Sequence, residues 1–173
     1  MRNAGAGLSA PRTRSLNVGH VWVMTVSIQS EPFDTAAEIA RIEAELAGRA
    51  GAVVTFSGLC RDEAGRLAAL ELEHYPGMAE AEIARVVEEA RARWPVQALR
   101  VIHRHGLVRP GEGIVLVVTA SPHRKAAFAA ADFLMDYLKT RAPFWKREHL
   151  ADGTTGGWVA ATEADAAAAQ AWV

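Results

Sequence analysis

Lys139 and Lys146 stand seven residues apart in the run Lys139-Thr140-Arg141-Ala142-Pro143-Phe144-Trp145-Lys146-Arg147-Glu148. On an unbroken helix the two amines would share a face. Pro143 forbids that helix, so Lys139 is expected on its last turn and Lys146 on the extended segment beyond it. Two kinds of chemistry are open to such a pair. Basic side chains complement the negative end of a helix dipole and need no ligand to do so. Alternatively, the Phe144-Trp145 pair anchors the turn and partly desolvates an amine, which lowers its pKa and equips it as a nucleophile or general base near neutral pH.

The same helix should open at Ser121-Pro122-His123-Arg124-Lys125, with Ser121 as N-cap and Pro122 at the first helical position. Free backbone N–H groups, the positive dipole end and several cationic side chains meet there. Either His123 and Arg124 are solvated first-turn residues, or they hold an anion such as a phosphate; cations oppose the dipole at this end, and a bound negative group would account for them. Arg61 follows the strand end Gly58-Leu59-Cys60 and reads equally as a surface arginine or as a binding residue carried by a sheet. Cys60 is the single cysteine. Without a second thiol it reads as a small buried residue before it reads as a sulfur carrier. His103 and His105 form an i,i+2 pair with no HExxH or CxxC nearby, so they read as structural or surface histidines and no metal site is expected.

Positioning these groups requires an ordered set of elements. Val23 to Ile28 reads as a strand, and Asp34-Thr35 with Glu38 as a capping box for a helix reaching about Ala47. Ala52 to Ser57 is apolar enough for a central strand covered on both faces, and Gly58 marks a bulge or a close backbone approach. Leu70, Leu72 and His74 alternate with Glu71, Glu73 and Tyr75, a half-exposed strand after a polar loop over Arg61 to Arg66. Ile83, Val86, Val87, Ala90 and Trp94 mark one face of a helix that Pro95 stops. Leu99 to Arg104 and Ile114 to Thr119 read as strands of a hairpin, followed by the long helix to about Thr140. Phe144 to His149 and Trp158 to Ala161 read as closing strands, and an alanine-rich helix ends at Trp172. Roughly six or seven strands and about four helices, with strands often adjacent in the chain, indicate an α+β fold with a largely antiparallel sheet.

The composition narrows the function. The 173 residues, half of them hydrophobic, suit one domain, expected over residues 23–173, with 1–22 as a disordered N-terminal extension. With 19 basic and 20 acidic side chains there is no global field to attract nucleic acid or a membrane surface, so any anion site must be local. Neither GxGxxG nor GxxxxGK[ST] occurs, and no apolar run is long enough for a bilayer. One lone cysteine fits a reducing, cytoplasmic setting.

Taken together, the segments GAVVTFSGLCRD, LELEHYPGM, ARARWP, VIHRHG, SPHRKAAF and MDYLKTRAPFWKRE occur in order and resemble the molybdopterin synthase large-subunit family over about Val26 to Ala161. The resemblance implies an α/β hammerhead-type fold and a sulfurtransferase. Its activity would move sulfur from the thiocarboxylated C-terminus of a small ubiquitin-like subunit to cyclic pyranopterin monophosphate, forming the dithiolene of molybdopterin. It further implies a homodimer within a heterotetramer, and neither a metal nor a cofactor. By match to the family motifs, Lys139 and Lys146 would be catalytic, and Arg61, His123 and Arg124 would bind the substrate's phosphate and pterin. Leu59, Cys60, Arg147 and Glu148 would line the same site. The chain departs from the family pattern at Cys60, where an aliphatic residue is frequent, in a slightly longer loop before Trp158, and at Thr162, where some members carry an arginine. A helix from His123 to Lys139 spans about 24 Å at ~1.5 Å per residue. Either the helix is shorter or bent, or the phosphate end and the lysine end come from different subunits across a dimer interface, and the second arrangement is the one expected.

Overall fold

The computed structural model describes residues 23–62, 64–159, 167 and 170–172. The expected N-terminal extension, most of the expected terminal helix and Thr162 lie outside them. The elements run β1 (Val23–Gln29), α1 (Thr35–Leu46), β2 (Ala52–Leu59), β3 (Leu67–His74), α2 (Met78–Arg93), β4 (Ala98–Arg104), β5 (Gly106–Val108), β6 (Gly113–Ser121), α3 (Arg124–Thr140), β7 (Phe144–Leu150) and β8 (Thr155–Val159). They form two four-stranded sheets, ordered β1-β4-β6-β2 and β5-β3-β7-β8. Only β1 and β4 run parallel among the described pairs, so the α+β, largely antiparallel architecture is as expected.

Alternation along β4 and β6 builds two cores on the first sheet. Leu99, Val101, Val115 and Val117 face α2 and α3, where Ile83, Val86, Ala130 and Leu134 are fully or almost fully buried. Ala98, Ile102, Leu116 and Val118 face the other way onto Ile42 and Leu46 of α1. A third, smaller cluster of Cys60, Leu72 and Val108 backs the second sheet and meets the first through Ile114.

Four local readings are corrected. Asp34 alone caps α1, accepting a hydrogen bond from the Ala37 amide (3.0 Å), while Glu38 binds the Arg100 guanidinium of β4 (3.0 Å). The apolar β2 is an edge strand of the first sheet; helices cover part of it, and Thr55, Phe56 and Ser57 are exposed. β4 and β6 are antiparallel neighbours, but their link is no simple turn, because Gly106–Val108 crosses to the second sheet and buries Val108 against Leu72. Ser121 ends β6 and donates to the Pro95 carbonyl (3.0 Å), so His123 occupies the N-cap position of α3. Three helices are formed among the described residues, and the fourth expected one falls largely outside them.

Candidate active site

Where the last turns of α3 meet β2, β4 and β7, a cleft of about 490 Å³ opens, walled by Lys139, Lys146, Arg61, His103, Leu59 and Phe56 among others. That is ample for a small organic ligand. The sequence brings the two lysines together by ending one element and starting the next. Arg141 and Ala142 donate their amides to the Tyr137 carbonyl (2.9 and 3.2 Å), closing α3, and Pro143 sends the chain into β7. Lys139 is exposed on the last helical turn, and Lys146 is half-buried on the third residue of β7. Tyr137 braces that helix end against α2: its hydroxyl donates to Glu82, which also holds Arg85. Burial, reinforced by Glu82, pushes the Tyr137 phenol up to about 12, so it remains a donor.

Strand alternation sorts the residues around Lys146. Phe144 and Lys146 share the β7 face that lies opposite His74 and the buried Leu72 of β3. Trp145 and Arg147 point the other way, so of the aromatic pair only Phe144 supports the cleft. Arg147 donates to Glu71 from Nε (3.0 Å) and Nη2 (2.7 Å) and lies 4.7 Å from the Trp158 ring centroid. Hydrogen bonds from His149 and Arg147 hold the Glu71 carboxyl below its usual range. Glu148 returns to the Lys146 face opposite Leu70, beyond the cleft wall.

The rim of the cleft comes from the end of β2. At Gly58 the pairing with β6 shifts register, as its sequence position suggested, and a Cβ there would stand 2.6 Å from Val115 Cγ1. The shift carries Leu59, 59% exposed, and then Arg61 to the opening. Cys60, expected among the binding residues, lies behind the wall instead. It is 3% exposed, packed on Leu72 and Val108, and its burial pushes the thiol pKa up.

His103 is the ionisable wall residue, among those described, that sequence reasoning missed. It follows Leu99 and Val101 on the α3-facing side of β4, an alternation that could have placed it at the cleft. The ring is 5% exposed and stacks on Phe144 with 3.7 Å between centroids and 18° between planes. Its Nδ1 lies 2.8 Å from the Arg104 carbonyl. Burial lowers its pKa to about 4, opposed by that hydrogen bond and assisted by the charge of Lys146.

His123 and Arg124 are not in this cleft. With Lys125, Pro122 and Gly51 they line a separate hollow of about 440 Å³ at the opposite end of α3. The His123 amide is bound by Ser121 Oγ (3.3 Å), and the cationic side chains are exposed around the helix start, an arrangement suited to an oxyanion. One chain thus keeps its lysine cleft and this basic hollow apart. Among the described residues no cluster of histidine, cysteine and carboxylate side chains could hold a metal ion. No helix among them is long and apolar enough to cross a membrane.

Known proteins resemble this chain in sequence and in fold. The molybdopterin synthase catalytic subunit of Mesorhizobium japonicum is 68% identical over 150 residues, covering 86% of this chain and 92% of the relative. The protein of the same name from Brucella melitensis is 63% identical over 149 residues, covering 86% and 91%. In three dimensions, the molybdopterin biosynthesis MoaE protein from Burkholderia ambifaria superposes with a TM-score of 0.73 at 44% identity, over 87% of this chain and 99% of that one. Molybdopterin synthase from Staphylococcus aureus gives 0.67 at 30% identity, over 76% and 94%. The family model described as MoaE protein matches residues 28–141, which hold β2 through α3 and with them Lys139, Arg61 and the start of the anion hollow, and the chain belongs to that family.

Proposed function

We propose that this chain is the catalytic subunit of a molybdopterin synthase, a sulfurtransferase of molybdenum cofactor biosynthesis. In this reading it moves sulfur from the thiocarboxylated C-terminus of a small ubiquitin-like subunit to cyclic pyranopterin monophosphate, and two transfers make the dithiolene. The observation that carries the reading is the convergence of Lys139 and Lys146, separated by a helix-ending proline, on one cleft beside Arg61. High identity to proteins named for this activity supports it.

The geometry suits the chemistry. The cleft is open at a rim of exposed Leu59 and Phe56, apolar surface against which an extended tail can lie. As the thiocarboxylate sulfur bonds to the pterin side chain, its negative charge passes to the pterin, where a lysine ammonium stabilises it. Water then cleaves the resulting thioester, leaving the sulfur on the pterin and freeing the small subunit as a carboxylate, and a neutral lysine moves the protons. Arg61 adds a planar cation for an oxyanion. His123 and Arg124 are too far along α3 to reach the same small substrate, so the phosphate-holding end of each site comes from a second copy of the chain. The assembly is a homodimer carrying two small subunits, and no metal or cofactor takes part.

Conversion of cyclic pyranopterin monophosphate to molybdopterin, with a thiocarboxylated small subunit supplied, tests this. Wild type should form product and Lys139→Ala should not. Equal product from both would remove Lys139 from the mechanism, and no product from either would reduce the chain to a binding scaffold.

A further inference from the structure

Among the described residues, the charged side chains that wall the lysine cleft are all basic. Arg61 and the ammonium forms of Lys139 and Lys146 carry hydrogen-bond donors only, which suits oxyanions but does not orient a ring that itself presents N–H groups. A reduced pterin carries several such groups, in its ring and on its exocyclic amine. Ser57 can accept, but its hydroxyl rotates and sits on the exposed stretch of β2.

His103 differs from all of these. A carbonyl oxygen can only accept, so the 2.8 Å contact with the Arg104 carbonyl places the proton on Nδ1. In the neutral ring Nε2 then bears a lone pair, and it is the polar atom left for the cleft that the ring lines. The ring cannot swivel away: it is 5% exposed and stacked on Phe144, two residues before Lys146 on the same strand face. Burial and the surrounding charges of Lys146, His74 and His105 all oppose a second proton.

We propose that His103 is a fixed hydrogen-bond acceptor of the lysine cleft, receiving a pterin N–H at Nε2 and so helping to set the ring's orientation beside Lys146. This rests on the pterin substrate assigned above. It makes His103 a binding residue for orientation, with no proton transfer assigned to it.

The test uses the enzyme assembled with its small subunit, reading KM and kcat for cyclic pyranopterin monophosphate and Kd by calorimetry. His103→Phe keeps the stack on Phe144 and removes the acceptor; His103→Gln replaces an acceptor near the Nε2 position. Loss of one neutral hydrogen bond predicts that His103→Phe raises KM and Kd roughly tenfold with kcat nearly unchanged, and that His103→Gln recovers most of the loss. Wild-type affinity in His103→Phe would overturn the proposal. So would a His103→Gln variant as weak as His103→Phe, since packing alone would then explain the residue. Should His103→Phe fail to fold, the histidine ¹⁵N spectrum of the wild-type complex decides: an Nε2 resonance that shifts when the pterin is added supports the acceptor, and one that stays in place overturns it. A wild-type enzyme that neither binds the pterin nor forms product overturns the parent reading, and this one with it.

Discussion

Cys60 and Lys139 are both nucleophiles by type, and burial separates their fates. The Cys60 thiol is packed on Leu72 and Val108 with its pKa pushed up, while Lys139 stands exposed at the cleft. Cys60→Ala should therefore still form molybdopterin at close to the wild-type rate while losing ~1 kcal/mol of stability from the small cavity left behind. A product assay and a denaturant titration check both parts. Loss of product with stability intact would point to a cysteine-dependent sulfurtransferase. A second prediction at this scale follows from His103, whose pKa falls from 6.5 to about 4 on folding. Because the folded state resists the proton that the unfolded chain accepts, this residue's contribution is complete above pH 6.5. It is lost as the pH falls toward 4, amounting to about 3 kcal/mol. His74, also lowered mainly by burial, acts in the same direction. Urea titrations at pH 7 and pH 5 should show a smaller loss in His103→Gln than in wild type; equal losses would mean that His103 does not resist protonation. The lysines were legible in the sequence because Pro143 dictates how their elements divide. His103 was legible only as far as its face, because the alternation that sets it beside Leu99 and Val101 does not announce whether that face ends in a core or a cleft.

At the scale of elements, periodicity located nearly every helix and strand, since Ile83, Val86, Val87 and Ala90, or Leu99 and Val101, bury on the faces their spacing marks. Sheet order was not legible. A continuous apolar run such as Ala52 to Ser57 reads the same in a central strand and in an edge strand partly covered by helices. Its edge position has consequences, because the start of β2 and the start of α3 touch backbone to backbone. The Gly51 amide donates to the Ser121 carbonyl (3.1 Å), and a Cβ on Gly51 would lie 2.4 Å from the Pro122 carbonyl oxygen. Gly51→Ala must therefore push the α3 start away from β2, costing about 1–3 kcal/mol as overpacking does. Since Gly51 also lines the hollow with His123 and Arg124, the pterin phosphate should bind more weakly while the lysine cleft stays intact. An increase in KM with kcat preserved would show this; unchanged KM would detach the hollow from substrate binding.

The whole molecule poses a problem that neither residue nor element resolves alone. The anion hollow and the lysine cleft sit at opposite ends of the 17-residue α3, a separation of roughly 24 Å at 1.5 Å per residue. The sequence already allowed that length to be counted, and the structure runs α3 unbroken from Arg124 to Thr140, so its two ends stay a helix length apart. If a two-fold dimer completes each site, two inactive chains should rescue one another. In a mixed dimer of Lys139→Ala with Arg124→Ala, one site receives both defects, and the other receives an intact lysine end from one chain and an intact anion end from its partner. Random exchange of equal amounts puts half the chains in mixed dimers with one working site in two. Activity should therefore return to about a quarter of the wild-type value, although each variant alone is nearly inactive. Sites completed within a single chain would give no recovery at any mixing ratio, because every copy would carry one of the two defects. The size of the recovery thus reports directly whether the chain's two hollows serve the same substrate across a subunit boundary.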